Sequence, residues 1–339
     1  MPGRHHGRVR VVAAPDKFRG TASAAEVAAA VGRACAAAGV ACDEMPVADG
    51  GEGFLDVLGG PNRETTVTGP LGDTVRAGWA LRDRTAIVEM ARASGLDLVG
   101  GPEGNDPIAA NTSGTGELIA AAVDVGARRV LVGVGGSATT DGGLGALRAL
   151  EPLGRLRGVR IVVACDVRTT FVDAARTFAP QKGASTAQVE LLSRRLERLA
   201  QVYERDHGVD VRSIPGSGAA GGLAGGLAAI GASLVPGFDV VADELELHDR
   251  IEGADLVVTG EGFLDEQSFA GKVVGGVAEL AADSGVAVLA VVGEVLPDVA
   301  LPDGVTVVSL VERFGEDRAR SDVAGCVEAA VAAHLGARL

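Results

Sequence analysis

Several glycine-rich stretches of the sequence carry acidic or hydroxyl side chains, and the richest is residues 133–143 (GVGGSATTDGG). It follows the apolar residues 129–133 and precedes an apolar segment that begins at Leu144, so we predict a turn between a buried strand and a helix. Glycines expose backbone N–H groups, and a helix N-terminus attracts anions. The stretch therefore predicts a phosphate-binding turn with Asp141 as a ligand for a divalent cation. A tight turn capped by Asp141 is the alternative.

Charged side chains also follow the first predicted strand. Asp16, Lys17 and Arg19 come after the apolar residues 8–14, which predict a buried strand. Ligands of open α/β sheets bind at the carboxyl ends of the strands. We therefore expect these three side chains at a ligand site.

Two further strand ends carry acids. Residues 48–53 (ADGGEG) place Asp49 and Glu52 on either side of a glycine pair, ahead of a predicted helix. A helix N-terminus favours acids, so helix capping is the alternative for Glu52, whereas Asp49 is less easily explained that way. Asp166 ends the apolar residues 159–166 and predicts a Mg²⁺ ligand or a general base, with the start of a turn as the alternative.

Lysine is rare in this chain. Of 31 basic residues only Lys17, Lys182 and Lys272 are lysine, and each lies in a loop-like motif. A compact ammonium group, rather than a planar guanidinium, is the functional interpretation of this pattern. The alternative is that the chain uses arginine at most basic positions and that the places of its three lysines have no functional meaning.

A predicted helix opens with polar side chains at residues 111–117 (NTSGTGE). Hydroxyl and amide groups at a helix N-terminus suit a bound carboxylate or phosphate. Helix capping by Thr112 or Ser113 is the alternative, and it is compatible with anion binding.

Residues 216–222 (GSGAAGG) contain the spacing G-x-G-x-x-G, and Asp239 follows about 20 residues later. A dinucleotide-binding dehydrogenase is therefore an alternative to be tested. The signal is weak because Pro215 interrupts the strand that should precede such a motif. The sequence contains no G-x-x-x-x-G-K-[ST] motif, which excludes a P-loop protein.

The remaining pattern concerns architecture. Residues 63–91 form short segments rich in threonine and valine, which predict a small antiparallel region near a domain junction. Glu89 within it is expected to make a salt bridge or to contact a site. A predicted helix at 186–204 carries one apolar face, which predicts core packing alone and consists of Leu191, Leu192, Leu196 and Leu199.

Length and composition limit the possible number of domains and the possible classes of binding partner. A chain of 339 residues suggests two domains. The net charge of −14 argues against nucleic acid and anionic membranes as partners, and 3% aromatic residues argue against an aromatic surface that stacks on bases. The four cysteines have no metal spacing and predict free thiols. We expect a cytoplasmic protein that binds a small molecule, with His5 and His6 in a disordered tail.

Seven motifs in order resemble the type 1 glycerate kinases over nearly the whole chain. They are residues 14–18 (APDKF), 48–53 (ADGGEG), 135–143 (GGSATTDGG), 164–166 (ACD), 180–184 (PQKGA), 218–222 (GAAGG) and 259–262 (TGEG). The resemblance implies phosphorylation of D-glycerate with ATP and Mg²⁺. It also implies two α/β domains with mostly parallel sheets, one inserted into the other, with the active site in the interdomain cleft. We place the domains at 1–62 plus 283–339 and at 63–282.

On that basis the chemistry assigns roles to individual residues. The predicted catalytic set is Asp49, Lys17, Asp16, Glu52 and Lys182, with Asp49 as the group that orients or deprotonates the hydroxyl. The predicted metal ligands are Asp141 and Asp166. The substrate carboxylate is assigned to Arg19, Thr112, Ser113, Gly114 and Thr115. The nucleotide is assigned to Gly135, Gly136, Ser137, Thr139, Gly216, Gly218, Gly221, Gly222 and Glu261.

The chain departs from the family pattern in two places. The segments after Leu150 and after Asp166 are shorter than is usual for the family. If those loops close over substrate or nucleotide, the choice of substrate can differ, so a kinase for another small hydroxy acid is one alternative. A metabolite-binding or nucleotide-binding sensor without catalysis is another. The sequence leaves open whether the 2- or 3-hydroxyl is attacked, although 2-phosphoglycerate is favoured, and whether the protein is a monomer or a homodimer.

Overall fold

A computed structural model describes residues 9–18, 20–269, 271–297 and 299–337. The predictions for His5, His6 and Arg19 lie outside these residues. The structure is mixed α/β, as predicted, and its parallel strand pairings outnumber its antiparallel ones.

Within the described residues the strands are β1 (Arg10–Ala13), β2 (Ala41–Glu44), β3 (Arg63–Thr68), β4 (Thr74–Arg82), β5 (Thr85–Glu89), β6 (Arg129–Gly133), β7 (Arg160–Ala164), β8 (Ser233–Val235), β9 (Leu256–Thr259), β10 (Phe263–Leu264), β11 (Ala287–Val292), β12 (Glu294–Val295) and β13 (Val305–Ser309). The α-helices are α1 (Ala24–Ala37), α2 (Phe54–Val57), α3 (Ala91–Ser94), α4 (Ser113–Asp124), α5 (Leu144–Ala149), α6 (Ala174–Phe178), α7 (Thr186–His207), α8 (Leu223–Ala229), α9 (Gly237–Glu244), α10 (Leu247–Glu252), α11 (Val273–Asp283), α12 (Leu310–Phe314), α13 (Glu316–Ser321) and α14 (Val323–Gly336).

The chain divides into two compact units. The first joins the residues up to Asp49 with those from Phe238 onward, and the second comprises Gly50–Gly237. The predicted boundaries after residues 62 and 282 differ from this division. The reason for the second difference is that β9 forms its hydrogen bonds with β1 and β11, which places residues 256–259 in the first unit.

The first unit is built on a parallel sheet with the order β13-β11-β9-β1-β2. The chain moves from β1 outward to β2 through α1, whose Ser23–Glu26 capping box matches the prediction. It later returns at β9 on the opposite side of β1 and continues outward to β11 and β13. The strand order therefore reverses between β1 and β9. Such a reversal opens a crevice at the carboxyl ends of the strands, where α/β sheets bind ligands.

The second unit is built on a sheet in sequential order from β3 to β8. Its first two pairings are antiparallel, which matches the prediction for residues 63–91, and its remaining pairings are parallel. The motifs that follow β6 and β7 consequently leave the same edge of the sheet. A large aliphatic core containing Val88, Val132 and Val163 covers these strands.

One other sequence prediction, concerning the cysteines, can be compared with the structure. The four cysteines are free thiols, as predicted. Among the described residues, no helix combines the length and the apolar character that a membrane crossing requires.

Candidate active site

The first polar cluster lies at the reversal point of the first unit's sheet. The Asp16 N–H donates to the Gly260 carbonyl at 2.8 Å and so ties the end of β1 to the end of β9. The Lys17 ammonium lies 3.9 Å from Asp16 Oδ1 and 3.7 Å from Asp49 Oδ1. The fold therefore brings together Asp16, Lys17 and Asp49, three of the predicted catalytic residues, although Asp49 is 32 positions from Lys17 in the chain.

Glu261 lies at the same edge of this sheet, just after β9. It is buried, and its Oε1 atom has no hydrogen-bond partner within the described residues. Burial raises the pKa of Glu261 to about 7, although Ser268 and Lys272 act in the opposite direction. A carboxyl group with this pKa is partly protonated at neutral pH, so it can donate as well as accept a hydrogen bond.

Three residues next to Glu261 were not included in the predicted site. Lys272 Nζ lies 3.8 Å from Asp265 Oδ1, and the Ser268 N–H donates to the same carboxylate at 2.9 Å. The rarity of lysine pointed to Lys272. Asp265 and Ser268 gave no comparable signal, because short polar residues are common in turns.

The glycine loop of the second unit, residues 135–143, is organised by Asp141. The Asp141 carboxylate accepts hydrogen bonds from the N–H groups of Thr112, Gly143 and Gly145 at 3.0–3.1 Å. It also accepts one from the Thr112 hydroxyl at 2.8 Å. Because Oδ2 accepts three of these four bonds, the geometry favours the capping alternative over the metal-ligand assignment.

The same contacts correct the assignment at the start of α4. The sequence predicts that Thr112, Ser113, Gly114 and Thr115 bind a substrate carboxylate, but the carboxylate that Thr112 binds belongs to Asp141. Thr112 and Thr115 are fully buried, and the Thr115 hydroxyl is hydrogen-bonded to Ser94 at 2.8 Å. A Cβ atom at Gly114 would lie 2.0 Å from the Thr68 carbonyl oxygen. These groups hold the interior of the unit together.

Lys182 lies behind the glycine loop. Its ammonium group donates to the Ser137 hydroxyl and to the Thr139 carbonyl, both at 2.7 Å. Burial lowers the pKa of Lys182 to about 7, with the charge of Asp141 acting in the opposite direction. The neutral amine has two N–H donors and the structure supplies two acceptors, so Lys182 can support the loop even when it is uncharged.

The second glycine loop, residues 216–222, packs on the first. The Gly142 N–H donates to the Gly221 carbonyl at 3.0 Å, and a Cβ atom at Gly221 would lie 2.0 Å from the Thr139 carbonyl oxygen. Close contact between the two backbones thus explains glycine at position 221. A Cβ atom would also meet a neighbour within 3.0 Å at the other predicted glycines of this loop, Gly216, Gly218 and Gly222. The loop follows a 3₁₀ turn at Val211–Ser213 rather than a strand, so the dinucleotide-binding alternative is wrong.

The turn at residues 50–53 also lies against the glycine loop. A Cβ atom at Gly135 would be 2.5 Å from Gly51 Cα and 3.2 Å from the Glu52 backbone nitrogen. The GGEG part of the first motif (residues 50–53) and the motif GGSATTDGG are therefore in direct backbone contact within the second unit. Gly136 has a φ of +68°, which allows the chain to turn at this point. Glu52 is exposed beside it.

Glu89 caps the short helix α2, and the sequence did not predict this contact. Its Oε2 atom accepts the Leu55 N–H at 3.1 Å and lies 3.9 Å from Arg92 Nε. Burial raises the pKa of Glu89. The predicted salt bridge is therefore present as a long contact, and the hydrogen bond to α2 is the shorter interaction.

Asp166 is the more accessible of the two predicted metal ligands. It is exposed, and its Oδ1 atom accepts the Gly237 N–H at 2.8 Å. A partly engaged, exposed carboxylate is chemically suited to a hard cation such as Mg²⁺, unlike the fully engaged carboxylate of Asp141.

Comparison with known proteins supports the family resemblance that these motifs indicate. A profile of the glycerate kinase family matches residues 11–153 and 152–333. A protein named glycerate 2-kinase from Escherichia coli K12 is 38% identical over 333 residues, which cover 86% of this chain and 87% of that protein. A glycerate kinase from Bacillus subtilis is 38% identical, with 86% of each chain covered.

A solved structure supports the same relationship. It is named as a candidate glycerate kinase 2 from Salmonella typhimurium LT2 and has a TM-score of 0.82. The two proteins are 35% identical, and the match covers 98% of this chain and 100% of the other. The chain is a kinase and belongs to the glycerate kinase family.

Proposed function

We propose that this enzyme transfers the γ-phosphoryl group of ATP to D-glycerate and forms 2-phosphoglycerate in preference to 3-phosphoglycerate. The observation that carries the proposal is the cluster in which the Lys17 ammonium lies within 4 Å of the carboxylates of Asp16 and Asp49. Phosphoryl transfer needs a positioned hydroxyl and neutralised charge more than covalent chemistry. The name of the Escherichia coli relative, glycerate 2-kinase, supports the choice of the 2-hydroxyl.

Within this cluster the proposal gives each group one task. Asp49, whose side chain is 28% exposed, accepts a hydrogen bond or a proton from the glycerate hydroxyl. Lys17 neutralises charge on the transferring phosphoryl group. Asp16 positions Lys17, because its Oδ1 atom accepts the Lys17 N–H at 2.7 Å. Arg19 remains the proposed ligand of the substrate carboxylate.

Nucleotide phosphates are assigned to the glycine loop of the second unit. Its backbone N–H groups near Gly135 and Gly136 and the Ser137 hydroxyl are suitable donors for phosphate oxygens. Lys182 supports this loop rather than binding phosphate itself, which changes the role predicted from the sequence. The second loop, 216–222, supports the first. Glu261 remains a proposed nucleotide contact through its Oε1 atom, and Glu52 remains a catalytic candidate.

Mg²⁺ is assigned to Asp166, the predicted ligand whose carboxylate suits it. When bound, Mg²⁺ would neutralise phosphate charge and orient the phosphoryl group. The chain's own contribution is to hold the Asp166 carboxylate in place through the Gly237 N–H. The cytoplasmic location stays a prediction.

The test is an assay of purified protein with ATP, Mg²⁺ and a panel of small hydroxy acids. We expect D-glycerate to be phosphorylated, with 2-phosphoglycerate as the main product by ³¹P NMR. Faster turnover of another hydroxy acid would favour the alternative kinase, which the short loops after Leu150 and Asp166 leave open. Tight binding of ATP and glycerate without any phosphorylated product would favour the sensor and refute the proposal.

A further inference from the structure

A cavity of about 380 Å³ lies between α7, α5 and the segment before α4, entirely within the second unit. The cavity is open to solvent on one side, where the exposed side chains of Arg195 and Arg198 line it, so a ligand can enter it. It falls in the range of cavities that bind small molecules. The sequence predicted that the leucine face of α7 only packs in the core, but Leu196 and Leu199 from that face line the cavity.

The walls of the cavity are mostly aliphatic. They include the side chains of Ile108, Leu144, Leu196, Leu199 and Val202. Phosphate groups would lose hydration against such walls without gaining enough partners. A flat ring system would instead displace water from the aliphatic walls and bury apolar surface, and few polar groups would lose their hydration.

The polar groups of the cavity are few and specifically placed. Thr140 is 2% exposed and lines the cavity, and its hydroxyl has no hydrogen-bond partner within the described residues. A buried hydroxyl without a partner is costly, and a heteroatom of a bound ligand would relieve that cost. One such group in an aliphatic pocket suits a ligand with a few ring nitrogens.

Two guanidinium groups from α7 complete the cavity. Arg195 and Arg198 are exposed side chains at its edge, and Arg195 donates to the Ile108 carbonyl at 3.1 Å. Neither forms an ion pair within the described residues, although the protein carries a net charge of −14. A planar guanidinium can stack on the aromatic ring of a ligand. Aromatic side chains, which could also stack on such a ring, make up only 3% of this chain.

The position of the cavity relates it to the glycine loop. Thr140 and Asp141 belong to that loop and also line the cavity. Resting on the proposed function, which assigns ATP phosphates to the same loop, we propose that the cavity binds the purine base of the nucleotide. The base would pack between the α7 side chains and Leu144, with Thr140 as its hydrogen-bond partner.

The test compares a nucleotide with a phosphate chain that lacks a base. Calorimetric titrations with ATP and with inorganic tripolyphosphate, both with Mg²⁺, would be made on the wild type and on Val202→Trp, which fills the cavity. We expect the variant to bind ATP at least about tenfold more weakly and to bind tripolyphosphate within about twofold of the wild type. Leu191→Trp, on the same helix but exposed and not lining the cavity, is the control that should change neither affinity.

Unchanged ATP affinity in folded Val202→Trp would overturn the base site while leaving the proposed function intact. A wild type that binds no ATP and phosphorylates nothing would instead refute both. If Val202→Trp does not fold, Val202→Cys is a smaller change, and maleimide labelling at position 202 can be followed by peptide mass spectrometry. We expect ATP to slow this labelling at least about fivefold and tripolyphosphate to leave it unchanged. Equal labelling with and without saturating ATP would overturn the proposal.

Discussion

Each unit of this kinase buries one ionisable group whose pKa is brought to about 7, and the two groups differ in how their polar atoms are satisfied. Burial lowers the pKa of Lys182 and raises that of Glu261. The lysine donates to two acceptors of the glycine loop, whereas Glu261 Oε1 has no hydrogen-bond partner within the described residues.

This difference separates two kinds of polar region, one bound up within the protein and one open to a ligand. Lys182 and Asp141 are built into the glycine loop, because nearly every polar atom they offer is used by the protein itself. At the reversal point of the other sheet, the charged groups are paired at 3.7–3.9 Å, longer than a direct hydrogen bond. Glu261 Oε1, which is buried at the same sheet edge without a hydrogen-bond partner within the described residues, is available to a ligand. The first region is thus suited to support, and the second to chemistry.

Asp49→Asn should have the largest effect on activity and a small effect on stability. Loss of a general base or orienting group reduces turnover by about 10²–10⁴-fold. We expect KM values within a few-fold of wild type and a stability change below about 1 kcal/mol, because the Lys17 pair is partly exposed. Steady-state kinetics and urea unfolding would measure both. Asp283→Asn, an exposed acid in the same unit, is the control, and equal turnover in the two variants would remove Asp49 from the mechanism.

Asp141→Asn should have the largest effect on stability. The amide would present N–H donors to N–H groups that now donate to a carboxylate, so we expect a loss of about 3 kcal/mol. Asp166 is exposed, and its hydrogen bond from the Gly237 N–H lies partly in solvent, so Asp166→Asn should cost less than about 1 kcal/mol. Urea unfolding of the two variants would show the contrast. Equal destabilisation by both would contradict the supporting role of Asp141.

Lys182 should make stability depend on pH above neutrality. Its pKa falls from 10.5 to about 7 on folding, so between these values the unfolded chain binds more protons than the native state. Stability should therefore rise with pH in this window, by about 2 kcal/mol between pH 7 and 9. Lys182→Met should lack the rise, as shown by urea unfolding at several pH values. Lys272→Met, a partly exposed lysine, should keep it, and parallel curves for wild type and Lys182→Met would refute the burial argument.

Glu261 should give a smaller dependence of opposite sign below neutrality. Its pKa rises from 4.5 to about 7 on folding, so between these values the native state binds more protons. Stability should fall as pH rises through this window, by about 1–2 kcal/mol between pH 5 and 7. Glu261→Gln should remove that fall in the absence of Mg²⁺ and ATP. A retained fall in the variant would show that another group titrates.

Local patterns predicted the elements well and the contacts between motifs less well. The capping box of α1, the strand–turn–helix around residues 133–143 and the antiparallel region at 63–91 all form where their residue patterns indicate. The domain boundary near residue 283 was misplaced because β9 is a short buried strand that resembles strands of either unit. Only its hydrogen bonds to β1 and β11 assign it.

The sequence by itself determined the family, the α/β architecture and the set of polar residues available for phosphoryl transfer, because these depend on short motifs and on hydrophobic periodicity. The tertiary structure decided which of those residues bind each other. Asp141 and Thr112 are 29 positions apart, yet the Asp141 carboxylate binds at the helix start that the sequence predicted as the site of a substrate carboxylate. A side chain that is suited to bind an anion binds the protein's own carboxylate when the fold brings one within 3 Å. The spacing of the two residues along the chain does not predict this contact.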